Sequence, residues 1–495
     1  LSPIVLIRRH PLAALLALAL LLGLAFQGSR GLLEPDEGRY TNVALQMLHT
    51  GDFISLRRNS EALHFTKPPL TYWTIAASVA TFGHNEWAVR LPIALAFVLS
   101  VGLIYGLGKR FVPEKPWLPA LIYATCPIPM LAANTVNTDS VLAAMETLAV
   151  LCYVQARFGG GSRWWIDAMW VGFGLAFLTK GPPGLLPLLA ITAFHLSHRR
   201  ADVPLLRPLG LLGFALVGLG WYGVVIRRHP GLLDYFLGHE VYARIATDKL
   251  RRFPQWYGPL IAYLPTLTLG VLPWLAAVIH RRWGGTFAGW KQLPESTRFL
   301  WFWFVIPLVI FCLARSRLPL YVLPLFAPLC LLMAGALREM TIPRWGRIGL
   351  GVWLALLVAL KAGFAYAWVN DKDARQFTER LRPLLPGPPS EILFVEDMTR
   401  NGLNLYFRTE VERLSFKPMP HPISDSDYDA TVADEMTEQE TGRIFIMKTE
   451  VEQHFLNAAR AGGREPVLLG HLPHPKGNNE RDRVVYTLRG DFPGK

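Results

Sequence analysis

Cysteine is scarce, with four in 495 residues, and Cys126, Cys152, Cys312 and Cys330 all fall inside apolar runs. They supply neither a disulfide framework nor a thiolate metal cluster and read as small core residues. Phosphate-binding signatures are missing as well. There is no P-loop, no aromatic RNA-binding motif, and no G-x-G-x-x-G after a strand in the C-terminal segment. No small-residue cleavage site follows the apolar run "PLAALLALALLLGLAF", which therefore reads as a membrane segment and not as a signal peptide. Charge is thin: 18% of residues are charged and 52% hydrophobic, with mean hydropathy +0.27. That is too apolar for a soluble protein.

What is present is a series of long apolar runs over the first 370 residues. A bilayer core needs about 20 helical residues per crossing. Eleven segments qualify as predicted spans: 10–27, 86–107, 117–133, 139–156, 165–179, 182–197, 208–226, 258–279, 299–314, 318–337 and 347–369. Residues 69–83 are the first to add, so about 11–13 transmembrane helices are expected. The short loops on one side carry seventeen Lys and Arg, among them Arg110, Arg199, Arg281 and Arg344, against Lys180, Arg315 and Arg317 on the other. The positive-inside rule makes the first side cytoplasmic. Loop 28–85 and the tail are then expected on the periplasmic side of a bacterial inner membrane.

The net charge of +13 belongs to the membrane part. From Asn370 onward 17 Lys and Arg face 21 Asp and Glu, so the tail is acidic. The basic excess fits inside-positive loops and anionic lipids, with no nucleic-acid partner. Residues 1–369 are thus expected to form a transmembrane domain with a juxtamembrane loop at 28–85, and 370–495 a soluble α/β domain. In the latter, "ARQFTERLRPLL" and "VEQHFLNAARAG" predict helices, while "EILFVED", "GRIFIMK" and "DRVVYTLRG" predict strands.

Directly after the first apolar run comes "LLEPDEGRYTNVALQML". Tyr40, Val43, Ala44, Met47 and Leu48 recur at helical spacing, with Pro35 suited to a first turn and Asp36 and Glu37 at the positive end of the dipole. The helix is expected to lie along the outer interface, apolar face down. Adjacent acids at a helix start are commonly caps. Here, however, other charges fall on the same side: Lys67 in "HFTKPPLTYW", Asp139 in "NTVNTDS", Lys180 in "FLTKGPPG" and Arg317 and Tyr321 in "RSRLPLYVLP". Taken singly, Asp139 reads equally well as a cap, Lys180 as a snorkelling lysine, and Arg244 as a solvated loop charge. Carboxylates among several cations at one leaflet suit transfer from a lipid-linked phosphate. Cations hold the phosphate and stabilise its departure, and a carboxylate takes the acceptor's proton. Nucleotide sugars are cytoplasmic, so the donor expected on the opposite side is a polyprenyl-phosphate sugar.

The ordered set "EPDEGRY", "GDF", "KPPL", "NTD", "TKG" and "RLPLYVLP" resembles the bacterial 4-amino-4-deoxy-L-arabinose lipid A transferases. These belong with the protein O-mannosyltransferases in the GT-C class of polyprenyl-phosphate-dependent glycosyltransferases. The resemblance spans Leu12 to Trp368 and implies the GT-C fold and an inverting displacement. It implies a catalytic role for Asp36, with Glu37 beside it and Asp139 as a second acid. Arg39, Tyr40 and Lys67 match residues near the carrier phosphate. Arg244 and Tyr321 match residues lining the carrier-lipid site. Lys180 and Arg317 join this binding set by their loop positions.

Two departures stand out. Relatives often carry an acid where this chain has Thr66, and a histidine after the glutamate matched by Glu240, where it has Val241. A metal site built on those positions would be absent, so no cofactor is expected to be required and the sequence does not support a divalent metal. The expected partners are a polyprenyl-phosphate sugar, a lipid or glycan acceptor such as lipid A, and membrane lipids, with the chain acting as a monomer. A protein O-glycosyltransferase is the alternative within the class. A lipid or ion transporter and a non-catalytic lipid-binding protein are the alternatives outside it. Against a transporter, the charges gather at one interface and no half-to-half repeat is visible.

Overall fold

The computed structural model describes residues 10–60, 62–160, 162–198, 203–243, 252–282, 290–341, 343–367, 370–417, 428–475, 477 and 481–492. They fall into two compact units. One comprises residues 1–27, 67–71 and 90–361; the other comprises 28–66, 72–89 and 362–495.

In the first unit all eleven predicted segments are helical over most of their length. Among the described residues, six helices are long and apolar enough to cross a membrane: Glu86–Phe111, Asp139–Phe158, Pro208–Arg228, Glu295–Leu313, Pro319–Leu337 and Arg344–Tyr366. A bent pair, Gly258–Leu269 and Trp274–Arg281, meets at 81° and makes a seventh if taken as one span. Shorter apolar helices run over Pro11–Leu24, Leu70–Phe82 and Pro182–Ser197. Only 11% of the apolar window of Arg344–Tyr366 is buried inside the protein. Leu209, Leu212 and Leu216 expose one apolar face of another span. Such surfaces are untenable in water and ordinary in lipid. The chain is a multi-pass membrane protein.

Two predicted spans are interrupted where proline removes a backbone donor. Segment 117–133 divides into Trp117–Thr125 and Pro127–Ala132, and Pro273 stands in the break of the bent pair. Elsewhere close packing depends on missing side chains. A Cβ on Gly172 would come within 3.0 Å of Ala149, and one on Gly174 within 3.2 Å of Gly218. Helices Asp139–Phe158 and Trp164–Lys180 therefore approach backbone to backbone. They form a hairpin across residues 159–163, which sets Asp139, the first residue of one, beside Lys180, the last of the other.

The second unit is built on a six-stranded sheet in the order β3-β2-β1-β4-β6-β5. The strands are β1 Glu391–Val395, β2 Glu410–Ser415, β3 Ala430–Thr431, β4 Arg443–Lys448, β5 Pro466–Leu472 and β6 Arg483–Leu488. β3, β2, β1 and β4 are parallel; β6 and β5 are antiparallel additions. The predicted strands are β1, β4 and β6, and the predicted helices are Ala374–Leu381 and Glu452–Ala461. β2 escaped the sequence reading because "EVERLS" carries two glutamates and an arginine where a buried strand is expected to be apolar.

Residues 28–66 pack with this sheet. Ala374 N–H donates to Leu32 C=O at 2.8 Å and Glu34 N–H to Lys372 C=O at 2.8 Å. The Arg375 guanidinium and the Tyr406 hydroxyl both donate to Glu86 Oε1 at 2.7 Å. Arg58 pairs with Asp429 at 2.8 Å. Asn404 donates to Asn42 at 2.7 Å. The juxtamembrane helix, Asp36–Thr50, begins after Pro35 as predicted and ends at Gly51, whose φ is +70°. Its burial is wider than one apolar stripe, since Thr41, Asn42 and Gln46 are buried alongside Tyr40, Val43, Ala44 and Met47. The expected interfacial helix with a single apolar face is thereby corrected. Its polar side is covered by hydrogen-bonded protein.

Candidate active site

The fold treats the three acids of "EPDEGRY" differently. Asp36, in the first helical turn, is exposed, and Arg39 one turn on donates to its Oδ1 at 2.5 Å. The same guanidinium lies 5.7 Å from the Tyr40 ring centroid. Glu37 is buried and already engaged: Arg30 grips it through two N–H groups, at 2.6 and 3.1 Å, and Leu33 N–H donates at 2.8 Å. Glu37 thus fastens the approach to the helix and leaves the free carboxylate to Asp36. Glu34 is buried too. Gly402 N–H donates to its Oε1 at 2.5 Å. Burial pushes its carboxyl up to about 8, only partly offset by that N–H and by Arg400. A Cβ on Gly38 would stand 2.2 Å from this carboxylate, so the helix keeps glycine there.

In the membrane unit the predicted residues assemble into two groups. The first joins Asp139, Lys180 and Tyr321. Lys180 Nζ donates to Asp139 Oδ1 in a buried ion pair and lies 4.3 Å from the Tyr321 ring centroid. Arg252 donates to the Tyr321 hydroxyl at 3.1 Å. The bland readings of Asp139 as a cap and Lys180 as a snorkelling lysine give way to a charged pair held on an aromatic face. Glu146, seven residues along the helix from Asp139, is a further buried acid that senses both charges.

The second group holds Lys67, whose Nζ lies 3.9 Å from Glu240 Oε2. Glu240 sits in a π-helical turn, Tyr235–Ala243, where residues five apart are neighbours, and Tyr235 donates to it at 3.2 Å. His239 Nδ1 is 3.6 Å from the same carboxylate.

Arg317 falls outside both groups. Its guanidinium donates to the carbonyls of Phe253 at 2.6 Å, Gln255 at 2.8 Å and Cys312 at 3.0 Å. Those bonds engage both of its terminal nitrogens and tie down the loop carrying Arg252. Arg244 lies outside the described residues. Sequence reasoning missed Arg252 and Glu146. Arg252 was one of six basic residues in its loop, and nothing local marked it. Glu146 did carry a signal, an acid within an apolar span, which by itself marks a functional position.

Residues 66–222 match the family model of dolichyl-phosphate-mannose-protein mannosyltransferase. An undecaprenyl phosphate-alpha-4-amino-4-deoxy-L-arabinose arabinosyl transferase 2 of Sodalis glossinidius is 34% identical over 65% of this chain and 58% of its own length. The corresponding transferase of Aeromonas salmonicida is 34% identical over 70% of this chain and 65% of its own. The chain thus matches about three fifths of the length of these relatives. The crystal structure of ArnT from Cupriavidus metallidurans bound to undecaprenyl phosphate has the same fold, with TM-score 0.77 over 98% of this chain and 99% of that one at 19% identity. The chain therefore has the fold of that transferase, and over most of its membrane part it is similar in sequence to the aminoarabinose transferases.

Proposed function

We propose that this protein is an integral-membrane glycosyltransferase. It moves a sugar from an undecaprenyl-type phosphate carrier to an acceptor hydroxyl or phosphate on lipid A or another envelope glycan. The observation that carries the reading is Lys180, buried between the Asp139 carboxylate and the Tyr321 ring with Arg252 on the tyrosine hydroxyl. A cation so placed in a lipid-embedded protein needs an anionic partner, and a carrier phosphate supplies a second one. Lys67, 3.9 Å from Glu240, is a second cation in the same unit and a second candidate for the carrier phosphate.

The roles follow from the chemistry. Asp36 takes the proton of the acceptor hydroxyl as its oxygen attacks the anomeric carbon. The bond from that carbon to the carrier phosphate breaks, the centre inverts, and polyprenyl phosphate leaves with its charge held by Lys67, Lys180 and Arg252. Arg39 orients Asp36 through their ion pair. A phosphate acceptor needs no general base, because its second pKa is about 6. In that case Asp36 orients the acceptor instead. No step is assigned to a metal. The site and the sheet-containing unit face the periplasm, and the protein acts as a monomer in the inner membrane.

The test is transfer itself. Purified protein in lipid nanodiscs, and in parallel in sealed vesicles, is incubated with radiolabelled polyprenyl-phosphate sugars and a panel of lipid A, glycan and peptide acceptors. Label covalently attached to an acceptor supports the reading. Label that crosses a vesicle membrane without attachment supports transport and overturns it. Mass spectrometry of envelope lipids with and without the protein then identifies the sugar.

A further inference from the structure

The sheet-containing unit holds a second concentration of acids, remote in sequence from the transfer motifs. Glu391 opens β1, Glu412 is the third residue of β2, and Glu435 lies on the short helix Val432–Thr437 that follows β3. One carboxylate oxygen from each comes within 4.8 Å of the others, and all three residues are more than nine-tenths buried.

Two of their oxygens are satisfied less well than the carboxylates around them. Glu410, two residues from Glu412, accepts from Ser60 N–H and Oγ–H at 3.0 and 2.9 Å. Asp429 is bound by Arg58 at 2.8 Å and by Arg413 N–H at 2.9 Å. Asp491 accepts from Arg443 Nε at 3.3 Å. Among the described residues, by contrast, Glu391 Oε2 and Glu435 Oε2 are buried with no hydrogen-bond donor. The one nearby cation, Arg443, stands 3.7 Å from Glu435 Oε2, and its Nη1 donates instead to the Glu435 backbone carbonyl at 2.6 Å. Glu410, Glu438 and Glu440 add negative potential around the group.

We propose that Glu391, Glu412 and Glu435 bind one hard divalent cation, of the Ca²⁺, Mg²⁺ or Mn²⁺ class, which clips β1 and β2 to the helix Val432–Thr437. Oxygens around such an ion stand about 2.0–2.6 Å from it and up to about 4–5 Å from one another, which accommodates the observed spread. The donor set contains no histidine or cysteine, so zinc and copper are poor fits. Three carboxylates beside one guanidinium that also serves Asp491 leave an excess of negative charge, which a divalent ion offsets. The site lies at the amino-terminal ends of parallel strands, away from the carboxyl ends where open α/β sheets bind substrates. Its effect is therefore on folding of this unit. The proposal is independent of the transfer reading.

The experiment uses the full chain in detergent, stripped with chelator. Mn²⁺ is titrated while the free-ion electron paramagnetic resonance signal is followed, and thermal unfolding is measured with and without Ca²⁺ or Mg²⁺. One Mn²⁺ per chain is expected, with affinity reduced about tenfold or more in Glu391→Gln and Glu412→Gln. The cation-induced rise in midpoint is expected to vanish in both variants. Glu465→Gln, on a surface ion pair with Arg489, is expected to bind as wild type. Binding that survives both variants unchanged overturns the proposal. So does a midpoint raised by Glu412→Gln while no cation moves either protein, because the carboxyls then hold protons only.

Discussion

The two units differ in how completely their buried charges are paired. In the membrane unit Asp139 is paired with Lys180, Arg157 with Glu295 and Asp167 with Arg207. The sheet-containing unit has such pairs too, Arg30 with Glu37 and Arg58 with Asp429, but it also buries three carboxylates together beside one arginine. The contrast follows from the solvent each unit faces. Lipid supplies no counter-ion, so a charge near it carries its partner within the fold. Water supplies ions and protons, so a buried cavity beside it can borrow its neutralising charge. A buried pair in the first unit and an unpaired cluster in the second are therefore different signals. The first marks residues a substrate can engage by exchange, and the second a place an ion completes.

The contrast is sharpened most by changing the acid that is neither buried nor held in a tight cage. Asp36→Asn is expected to reduce transfer to a hydroxyl acceptor about 10²–10⁴-fold while leaving the unfolding midpoint unchanged. Retention of most activity in the nanodisc assay removes Asp36 from the base role.

Breaking a membrane pair comes next. Asp139→Asn strands the buried Lys180 and is expected to cost about 3–5 kcal/mol. The double variant Asp139→Asn/Lys180→Met is expected to recover part of that loss. Thermal unfolding in one detergent compares the three proteins, and equal loss in single and double variants denies the coupling.

A steric test addresses the second unit. Gly38→Ala places a methyl 2.2 Å from the Glu34 carboxylate. The expected destabilisation is about 1–3 kcal/mol, read from unfolding midpoints.

A further test concerns pH. The folded value of Glu34, about 8, stands above the ordinary 4.5, so folding takes up a proton. Its contribution is full below pH 4.5 and is lost as pH rises through 8, at no more than about 1.4 kcal/mol per pH unit. Glu34→Gln keeps an oxygen for Gly402 N–H and does not ionise. It is expected to lie within about 1 kcal/mol of wild type at pH 5 and to flatten the decline toward pH 9. Parallel pH–midpoint curves for the two proteins count against this assignment.

Legibility in the sequence followed the same division between units. Membrane helices announce themselves because a bilayer imposes long apolar runs; the eleven segments were readable as helices, although among the described residues only six, or seven with the bent pair, are long and apolar enough to cross. The juxtamembrane helix was readable from Pro35, its first-turn acids and its apolar stripe. Its buried polar face was not, because Asn42 is satisfied by Arg58 and by Asn404, the latter distant in sequence. In the second unit the apolar strands β1, β4 and β6 were visible. β2 was hidden by Glu410, Glu412 and Arg413, charges that only their surroundings make tolerable. Among site residues, Asp36, Lys67, Asp139, Lys180 and Tyr321 were nominated from short motifs. The motifs could not separate Asp36 from Glu37 or reveal that Arg317 is occupied by backbone carbonyls.

By itself the sequence determined that the chain crosses a membrane repeatedly, that an acidic α/β segment follows, and which charged motifs cluster at helix ends. Those properties depend on composition and on periodicities of a few residues, which are local. Tertiary structure alone decided which charges meet: Asp139 with Lys180 across a helix hairpin, Arg252 with Tyr321, and Glu391 with Glu412 and Glu435 across two strands and a helix. Whether a carboxylate is free, paired or starved of partners depends on groups tens to hundreds of residues away, and only folding brings those within reach.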